Sequence, residues 1–218
     1  MRKQNPKSYE YIESLMQSES DLMAKARAHA NALGLGAISI SATEATIIQF
    51  LIQTNGCKKA VEIGTLTGLS ALYILNALPV DGYLWTLEKS PEHAAMAENA
   101  LLVEIRKNRC QVVEGDAIEK LPTLNSVGPF DVVFIDGNKS AYLNYFDWAL
   151  QNTSNNGLII VDNVFLAGAV WGDETLQKFN DKQLKNVKAM NQKAFTTPKL
   201  VSTIIPTLEG LLVCKKMP

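Results

Sequence analysis

The chain begins with helical patterning and then changes to an alternation of strands and helices. Apolar residues recur at helical spacing over residues 8–34. Ser41 followed by Glu44 is typical of a capping box, and a second apolar helical face comes directly after it. From residue 58 onward, short apolar runs alternate with helical patterns. This order predicts extra N-terminal helices followed by a sheet.

The second part of the chain predicts seven strands. The predicted strands cover residues 60–63, 83–87, 110–114, 130–135, 158–161, 200–205 and 211–214. The predicted helices of this part cover residues 70–78, 91–105, 117–121, 142–150 and 175–194. Alternation of strands and helices favours a doubly wound, mostly parallel sheet, whereas the last two strands are joined by a tight loop and form an antiparallel hairpin. We therefore expect an α/β fold.

Composition indicates a single globular domain of 218 residues, with 47% apolar and 20% charged residues. We expect a helical cap over residues 1–55 and a sheet-bearing core over residues 58–218. A net charge of −1 argues against a chain that binds polyanions by bulk attraction.

Several features favour a cytoplasmic protein. Cys57, Cys110 and Cys214 are widely spaced and form no CxxC pair, so they indicate neither a zinc knuckle nor a disulfide framework. We expect Cys110 and Cys214 to be buried in strands, in a reducing compartment. The chain starts with polar sequence, and no apolar stretch approaches the roughly 20 residues that span a bilayer. We expect no membrane partner.

Oxygen-bearing side chains follow two of the predicted strands. Asp136 comes directly after residues 130–135, and Asp162 and Asn163 come directly after residues 158–161. Ligands of open α/β sheets bind outside the carboxyl ends of the strands, so these groups are expected to share one crevice. Carboxylate and amide oxygens, without sulfur or imidazole, are typical ligands of a hard cation such as Mg²⁺. The alternative for Asp162 and Asn163 is a simple turn after a strand.

A glycine turn follows the first predicted strand. Gly64 and Gly68 are spaced as G-x-x-x-G, which differs from the G-x-G-x-x-G of dinucleotide enzymes, and the turn lacks the Gly-Lys-Ser/Thr of a P-loop. The turn carries Glu62 and contains no Lys or Arg, so it suits a ligand with a positive end better than a pyrophosphate. The alternative is a tight turn between strand and helix.

Two further acids follow the next two strands. Glu88 comes about 20 residues after the glycine turn, where an acid commonly binds ribose hydroxyls. Asp116 follows the third strand, where it could meet the edge of a base. Each acid alone could be a solvated cap. Their order after three successive strands favours a nucleotide-like cofactor.

The sequence Val-Glu-Ile-Gly-Thr-Leu-Thr-Gly-Leu-Ser at residues 61–70 resembles motif I of the methyltransferases that use S-adenosylmethionine (SAM). More narrowly, it resembles the cation-dependent O-methyltransferases of the caffeoyl-CoA and catechol type, in their bacterial branch. Ile135-Asp136-x-x-Lys139 and Asp162-Asn163 carry the same resemblance, which extends from about residue 8 to the end. It implies a Rossmann-like fold, SAM, a divalent cation (Mg²⁺, Mn²⁺ or Ca²⁺) and a homodimer.

The resemblance also implies residue roles. It implies that Asp136, Asp162 and Asn163 hold the metal and that Lys139 is the catalytic base, with Asp136 also catalytic. The cofactor contacts that it implies are Ile40, Glu62, Gly64, Gly68, Ser70, Glu88, Asp116, Ala117 and Asp136.

The expected chemistry is in-line transfer of a methyl group to a hydroxyl. A bound cation would coordinate the acceptor and lower the pKa of its hydroxyl. Three protein ligands leave about three positions on octahedral Mg²⁺, which is room for a vicinal pair of oxygens. We therefore expect a small catechol-like acceptor. Lys139, shielded from water beside a metal, is expected to have a lowered pKa and to accept the hydroxyl proton.

The acceptor itself has alternatives. The family often has a tryptophan soon after the metal asparagine, whereas this chain has Phe165 and Leu166 there and Trp171 later, so either of these could wall the acceptor. A hydroxylated uridine of tRNA is the alternative acceptor. Lysines recur at helical spacing and could hold its phosphates, although a solvated helix face has the same pattern. They are Lys178, Lys182, Lys185, Lys188 and Lys193.

Two other features bear on function. A catalytically silent cofactor-binding protein would lack Lys139 or the metal ligands, which are present here. His29 and His93 lie in helical segments, and we expect neither to have a partner. No Ser or Cys triad can be assembled from the sequence.

Overall fold

The computed structural model describes residues 7–16, 18–173 and 179–218. The strands are β1 (Lys59–Ile63), β2 (Tyr83–Glu88), β3 (Cys110–Glu114), β4 (Phe130–Ile135), β5 (Thr153–Val161), β6 (Leu200–Ile205) and β7 (Leu211–Lys216). The helices are α1 (Lys7–Leu15), α2 (Asp21–Ala32), α3 (Ala42–Thr54), α4 (Leu69–Ala77), α5 (Pro91–Ala100), α6 (Leu102–Arg106), α7 (Ala117–Lys120), α8 (Tyr142–Asn152) and α9 (Asp181–Thr196). None of the helices in this described part is long and apolar enough to cross a bilayer.

The seven strands form one sheet in the order β3-β2-β1-β4-β5-β7-β6. Strands β1 to β5 pair in parallel, whereas β7 pairs antiparallel with both β5 and β6. The α/β prediction and the closing hairpin are therefore confirmed. The chain order reverses between β1 and β4, and the carboxyl ends at such a point form the crevice where ligands of this architecture bind.

The two faces of the sheet support separate cores. Alternate residues of a strand point to opposite faces, so Ala60 packs in one core and Val61 and Ile63 in the other. Helices α2, α3 and α4 contribute to the first core, and α7, α8 and α9 to the second. Glu62 has the same parity as Ala60 and points toward α4, which begins directly after the glycine turn.

Several predicted helices differ from the structure at their ends. The helical pattern of residues 8–34 is split, because Ser20 accepts a hydrogen bond from the Met23 amide and starts a new helix. The helix predicted over 91–105 breaks at Leu101. The helix predicted from residue 175 begins at Asp181, since Asn180 and Gln183 form a complete capping box there. Residues 175–178 of that prediction lie outside the described part of the chain.

Local caps and thiols otherwise agree with the sequence. Ser41 caps α3 by accepting a hydrogen bond from the Glu44 amide, and its hydroxyl donates to the Glu44 carboxylate at 2.6 Å. Cys57, Cys110 and Cys214 are buried free thiols, so the expectation for Cys110 and Cys214 is confirmed. Burial raises the pKa of each thiol well above its usual value, which makes them poor nucleophiles.

Candidate active site

A cavity of about 390 Å³ opens at the carboxyl ends of β1 to β4. Seven of the nine expected cofactor contacts line this cofactor cavity, and the other two, Glu62 and Gly68, do not. Volumes of 300–1,000 Å³ are usual for sites that hold small molecules. The seven lining residues are Ile40, Gly64, Ser70, Glu88, Asp116, Ala117 and Asp136.

The glycine turn brings β1 and β4 into close backbone contact. Gly64 has φ +102°, and a Cβ built on it would overlap the carbonyl of Asp136. The Gly64 amide donates to Leu87 O at 2.9 Å, and the Asp136 amide donates to Ile63 O at 2.9 Å. Only glycine combines this backbone conformation with this approach. The turn is therefore fixed against the tip of β4, where Asp136 begins.

The tip of β2 presents a carboxylate that backbone amides hold in place. The Leu66 amide donates to Glu88 Oε2 at 2.8 Å, and the Ser90 amide donates to Glu88 Oε1 at 2.9 Å. His93 also lines the cavity, with its Nδ1 3.9 Å from Glu88 Oε1. The expectation that His93 has no partner is wrong, because the cap at Ser90 turns the start of α5 toward Glu88.

The tip of β3 places Asp116 at the start of α7. Asp116 accepts a hydrogen bond from the Ile118 amide at 3.0 Å and forms an ion pair with Lys89 at 2.8 Å. Lys89 and then the Ile118 amide hold the pKa of Asp116 below its usual value, so its carboxyl is ionised. Ala117 follows in the lining of the cavity.

Glu62 forms a buried network beneath the cofactor cavity. Its Oε2 accepts a hydrogen bond from Thr86 Oγ1 at 2.5 Å, and the Thr86 and Thr65 hydroxyls are 2.5 Å apart. Burial raises the pKa of Glu62 to about 7, although hydrogen bonds from Ser70 and Thr86 oppose this effect. Thr65 and Ser70 line the cavity while Glu62 does not, so these two hydroxyl groups lie between Glu62 and the cavity.

The expected metal residues lie at the tips of neighbouring strands. The Asp162 amide donates to Ile135 O at 3.0 Å, which places Asp162 beside Asp136 on the adjacent strand. The Asp162 side chain is buried, and its Oδ1 accepts a hydrogen bond from the Asn163 amide at 2.7 Å. Asn163 has φ +59°, a left-handed conformation that Asn tolerates better than most residues. The arrangement offers two carboxylates and an amide to a hard cation.

The expected cation ligands include only two carboxylates. No three His, Cys, Asp or Glu side chains among the described residues form a group that could hold a metal ion. A cation at Asp136 and Asp162 would therefore need the Asn163 amide or other oxygen donors, and such donor types favour Mg²⁺ over zinc.

Lys139 points into the site rather than to solvent. Its Nζ is 2.8 Å from Asp136 Oδ1 and 5.3 Å from the centre of the Tyr142 ring. The Tyr142 hydroxyl donates to the Asp162 carbonyl at 3.2 Å. Tyr142 thus joins Asp136, Lys139 and Asp162, and our sequence analysis missed it. Its signal was its position three residues after Lys139 at the start of a helix.

The pKa of Lys139 differs from the expectation. Burial is the largest single effect and disfavours its ammonium form, but the charge and hydrogen bond of Asp136, together with Tyr142, outweigh burial and raise the pKa above its usual value. The expected lowering is absent because the nearest partner of Lys139 is an anion. Burial likewise raises the pKa of the Tyr142 hydroxyl, which is therefore neutral.

The segment after Asn163 is held by the loop between β6 and β7. The Val164 amide donates to Gly210 O at 3.1 Å, and the Phe165 amide donates to Glu209 O at 2.9 Å. Phe165 and Trp171 form one edge-to-face pair with centroids 5.1 Å apart, and Trp171 is 57% exposed. Leu166 is buried in the core, so an aromatic wall at this position would consist of Phe165 and Trp171.

The lysines of α9 differ in exposure and in ion pairing. Lys182, Lys185 and Lys188 are exposed, whereas Lys193 forms an ion pair with Asp147 at 2.6 Å. Lys178 lies outside the described residues. The described lysines of this row have the character of a solvated helix face, which does not favour tRNA over a small acceptor.

Comparisons with known proteins agree with this geometry. Residues 13–217 match a family model described as O-methyltransferase. The catechol O-methyltransferase of Niastella koreensis is 37% identical over 169 residues, which cover 77% of this chain and 76% of that protein. The catechol O-methyltransferase of Mycobacterium tuberculosis is 31% identical over 198 residues, which cover 91% of this chain and 87% of that protein.

Two solved structures have the same fold over nearly the whole chain. The O-methyltransferase TomG of Streptomyces achromogenes, in complex with SAM, superposes with a TM-score of 0.86 at 28% identity and covers 95% of each chain. The O-methyltransferase of Bacillus cereus, in complex with SAH, has a TM-score of 0.86 at 26% identity and covers 95% of this chain and 96% of its own.

Proposed function

We propose that a catechol-like diol is the methyl acceptor of this chain, which belongs to the O-methyltransferase family and is a SAM-dependent O-methyltransferase. One observation carries the proposal. Asp136 lines the cofactor cavity and also pairs with Lys139 beside Asp162, so one residue joins the cofactor to the oxygen-donating cluster. The names of the two bacterial relatives support a catechol acceptor.

The donor set at the strand tips fits a divalent cation. Asp136, Asp162 and Asn163 would hold it, and a hard cation supplies acceptor binding and a lowered hydroxyl pKa. Asp162 directly follows β5 beside Asp136 on the adjacent strand tip, so both carboxylates lie at the same edge of the sheet. Tyr142 fixes the backbone of Asp162 through its hydroxyl.

We assign the proton transfer to Lys139. Its Nζ lies 2.8 Å from Asp136, so an acceptor hydroxyl bound next to Asp136 lies within reach of Lys139. Asp136 stabilises the ammonium form of Lys139, and a cation bound at Asp136 would offset that effect, so that Lys139 could lose its proton to water. The neutral Nζ would then accept the hydroxyl proton, and SAM would supply the methyl group to the acceptor oxygen. Ile40, Ser70 and Glu88 line the cavity that orients the cofactor for this displacement.

The proposal is tested by metal dependence and by one matched pair of variants. Methylation of 3,4-dihydroxyphenyl acceptors should stop with chelator and return with Mg²⁺. Asp162→Ala should abolish turnover and leave SAM binding largely intact, whereas Asp81→Ala, an exposed acid paired with Lys58, should change neither. Chelator-resistant turnover, or equal loss of turnover and SAM binding in Asp162→Ala, would contradict the assigned roles. Methyl transfer only to bulk tRNA would contradict the small-molecule acceptor.

We also propose a homodimer, as the family resemblance implies. None of the residues of α1, all of which the structure describes, is buried, and Tyr11 and Leu15 are 66% and 68% exposed. Phe50 of the neighbouring α3 is also largely exposed. These apolar side chains support an interface on α1 and α3. Light scattering should give twice the mass of the chain, and Leu15→Glu should shift it toward the monomer.

A further inference from the structure

A second cavity of about 530 Å³ lies next to the cofactor cavity. It is bounded by the junction of α1 and α2, by the segment before α3 and by Leu208 in the loop between β6 and β7. Ser39 and Ile40 line both cavities, so they form a shared wall. This cavity, the side cavity, has no role in the function described so far.

Its position fits the part of an acceptor that extends away from the reacting hydroxyl. An acceptor must reach the cofactor methyl and the Asp136 and Asp162 carboxylates together. The side cavity touches the cofactor cavity through Ile40. Its Leu208 belongs to the loop whose Glu209 and Gly210 carbonyls hold the segment after Asn163. The side cavity is therefore connected to the cofactor cavity by Ile40 and to the segment after Asn163 by the loop between β6 and β7.

The positive charge that lines the side cavity is already engaged. Arg27 Nε donates to both carboxylate oxygens of Glu19, at 2.9 and 3.0 Å, and Nη2 forms the ion pair with the same carboxylate. Arg27 Nη1 donates to Ile40 O at 3.0 Å, and Glu19 also accepts a hydrogen bond from the Tyr73 hydroxyl at 2.7 Å. An incoming carboxylate or phosphate would have to displace Glu19 from Arg27.

Glu13 is the charged group left available in the side cavity. Among the described residues its carboxylate has no hydrogen-bond or ion-pair partner, and it is half-buried. With Glu19 and Arg27 it gives the described lining one net negative charge. Met16 and Leu208 supply apolar surface beside it, which suits a short hydrocarbon linker.

We infer that the side cavity receives the side chain of the acceptor, and that Glu13 selects acceptors whose side chain ends in a protonated amine over those that end in a carboxylate. The inference rests on the proposed function. It adds the charge of the acceptor side chain and names Glu13 as the residue that distinguishes this charge. It also disfavours the polyphosphate of a coenzyme A thioester in this cavity, because no free cation lines its described part.

The test compares two diols that differ in the end of the side chain. We expect 3,4-dihydroxyphenethylamine to have a kcat/KM about 10-fold higher than 3,4-dihydroxyphenylacetate at pH 7.5, and Glu13→Gln to lower this ratio about 5-fold through the KM of the amine. Glu10→Gln removes the same charge from an exposed position of the same helix. It is the matched control and should leave the ratio unchanged.

Three results would overturn the inference. They are equal kcat/KM for the two diols, an unchanged ratio in Glu13→Gln, and an equal change of the ratio in Glu10→Gln, which would show a general charge effect. If neither diol is methylated, the proposed function fails. Calorimetry of the same two compounds with SAH and Mg²⁺ then decides the inference separately, since it predicts tighter binding of the amine and loss of that preference in Glu13→Gln.

Discussion

The cofactor side and the acceptor side of the site are built in different ways. The cofactor side consists of the tips of β1, β2 and β3, where polar groups are fixed by their own turns and by the adjacent strand tip, as Glu88 is by the Ser90 and Leu66 amides. The proposed acceptor side combines α1, α2, the segment after β5 and the loop between β6 and β7, where long-range bonds such as Phe165 N to Glu209 O join the last two of these segments. Motifs at adjacent strand tips specify the first side, and packing between distant segments specifies the second.

The largest expected effect tests whether Lys139 serves the acceptor side. We expect Lys139→Gln to lower turnover of a dihydroxyphenyl acceptor by about 10²- to 10⁴-fold, because the group that takes the proton is lost. SAM affinity, measured by calorimetry, should change far less. Lys182→Gln on the exposed face of α9 is the control and should have wild-type turnover. An equal fall in turnover and in SAM affinity would show that Lys139 contributes to cofactor binding and not to proton transfer.

The next prediction tests how strictly the cofactor side depends on backbone contact. Gly64→Ala should destabilise the fold and weaken SAM binding by about 2–5 kcal/mol, since both the positive φ and the overlap with Asp136 O oppose a side chain. Gly56→Ala is the control, because Gly56 also has a positive φ, +64°, but among the described atoms nothing lies within 4 Å of its Cβ. Urea unfolding of both variants measures how much the overlap adds to the cost of the positive φ. Equal losses in the free energy of unfolding would show that the overlap adds nothing.

A third prediction concerns the buried acid of the cofactor side. Because the pKa of Glu62 is about 7 in the fold and 4.5 ordinarily, the folded chain binds this proton more tightly than the unfolded chain. Its contribution to stability is therefore favourable at low pH and is lost as pH rises from about 4.5 through about 7, a difference of about 3 kcal/mol.

Glu62→Gln mimics the protonated acid and removes this dependence. We expect the variant to be more stable than the wild type at pH 8.5, by up to about 3 kcal/mol, and similar to it near pH 5. Urea unfolding without cofactor at both pH values measures the effect. Parallel pH profiles for the two proteins would show that Glu62 is not the titrating group.

The smallest expected effect tests the wall that the two sides share. Arg27 is a positioning residue, because its Nη1 holds the Ile40 carbonyl. Arg27→Met should raise the KM for SAM about 3- to 10-fold with a smaller change in kcat, and Arg27→Lys should restore little, since an ammonium cannot replace the forked contacts to Glu19 and Ile40. Lys25→Met on the exposed face of α2 should have no effect. A fall in kcat with an unchanged KM for SAM would contradict this positioning role of Arg27.

The sequence predicted the sheet and the strand-tip residues well for a physical reason. Apolar runs such as residues 130–135 are buried on both faces, so their pattern marks the strand, and the residue after each run must lie at the carboxyl edge. Asp136, Glu88 and Asp116 follow from this rule alone. The N-terminal helices were predicted as one pattern, because the cap at Ser20 that divides them is a weaker signal than apolar spacing.

The remaining features depend on packing that sequence spacing does not contain. Tyr142 reaches the Asp162 carbonyl only because α8 packs against β4 and β5. His93 lies near Glu88 because of the α5 cap, and the raised pKa of Lys139 follows from Asp136, 2.8 Å away, together with Tyr142. The side cavity exists only where three distant segments meet, so no single motif predicts it.

The approach of Gly64 to Asp136 fixes the glycine turn against the strand tip that carries the proposed cation ligand. Main chain touches main chain at this point, so backbone geometry, rather than a choice of side-chain rotamers, determines the distance between the turn and Asp136. With SAM on the turn and a cation at Asp136, thermal motion of long side chains would therefore contribute little to the separation of the two.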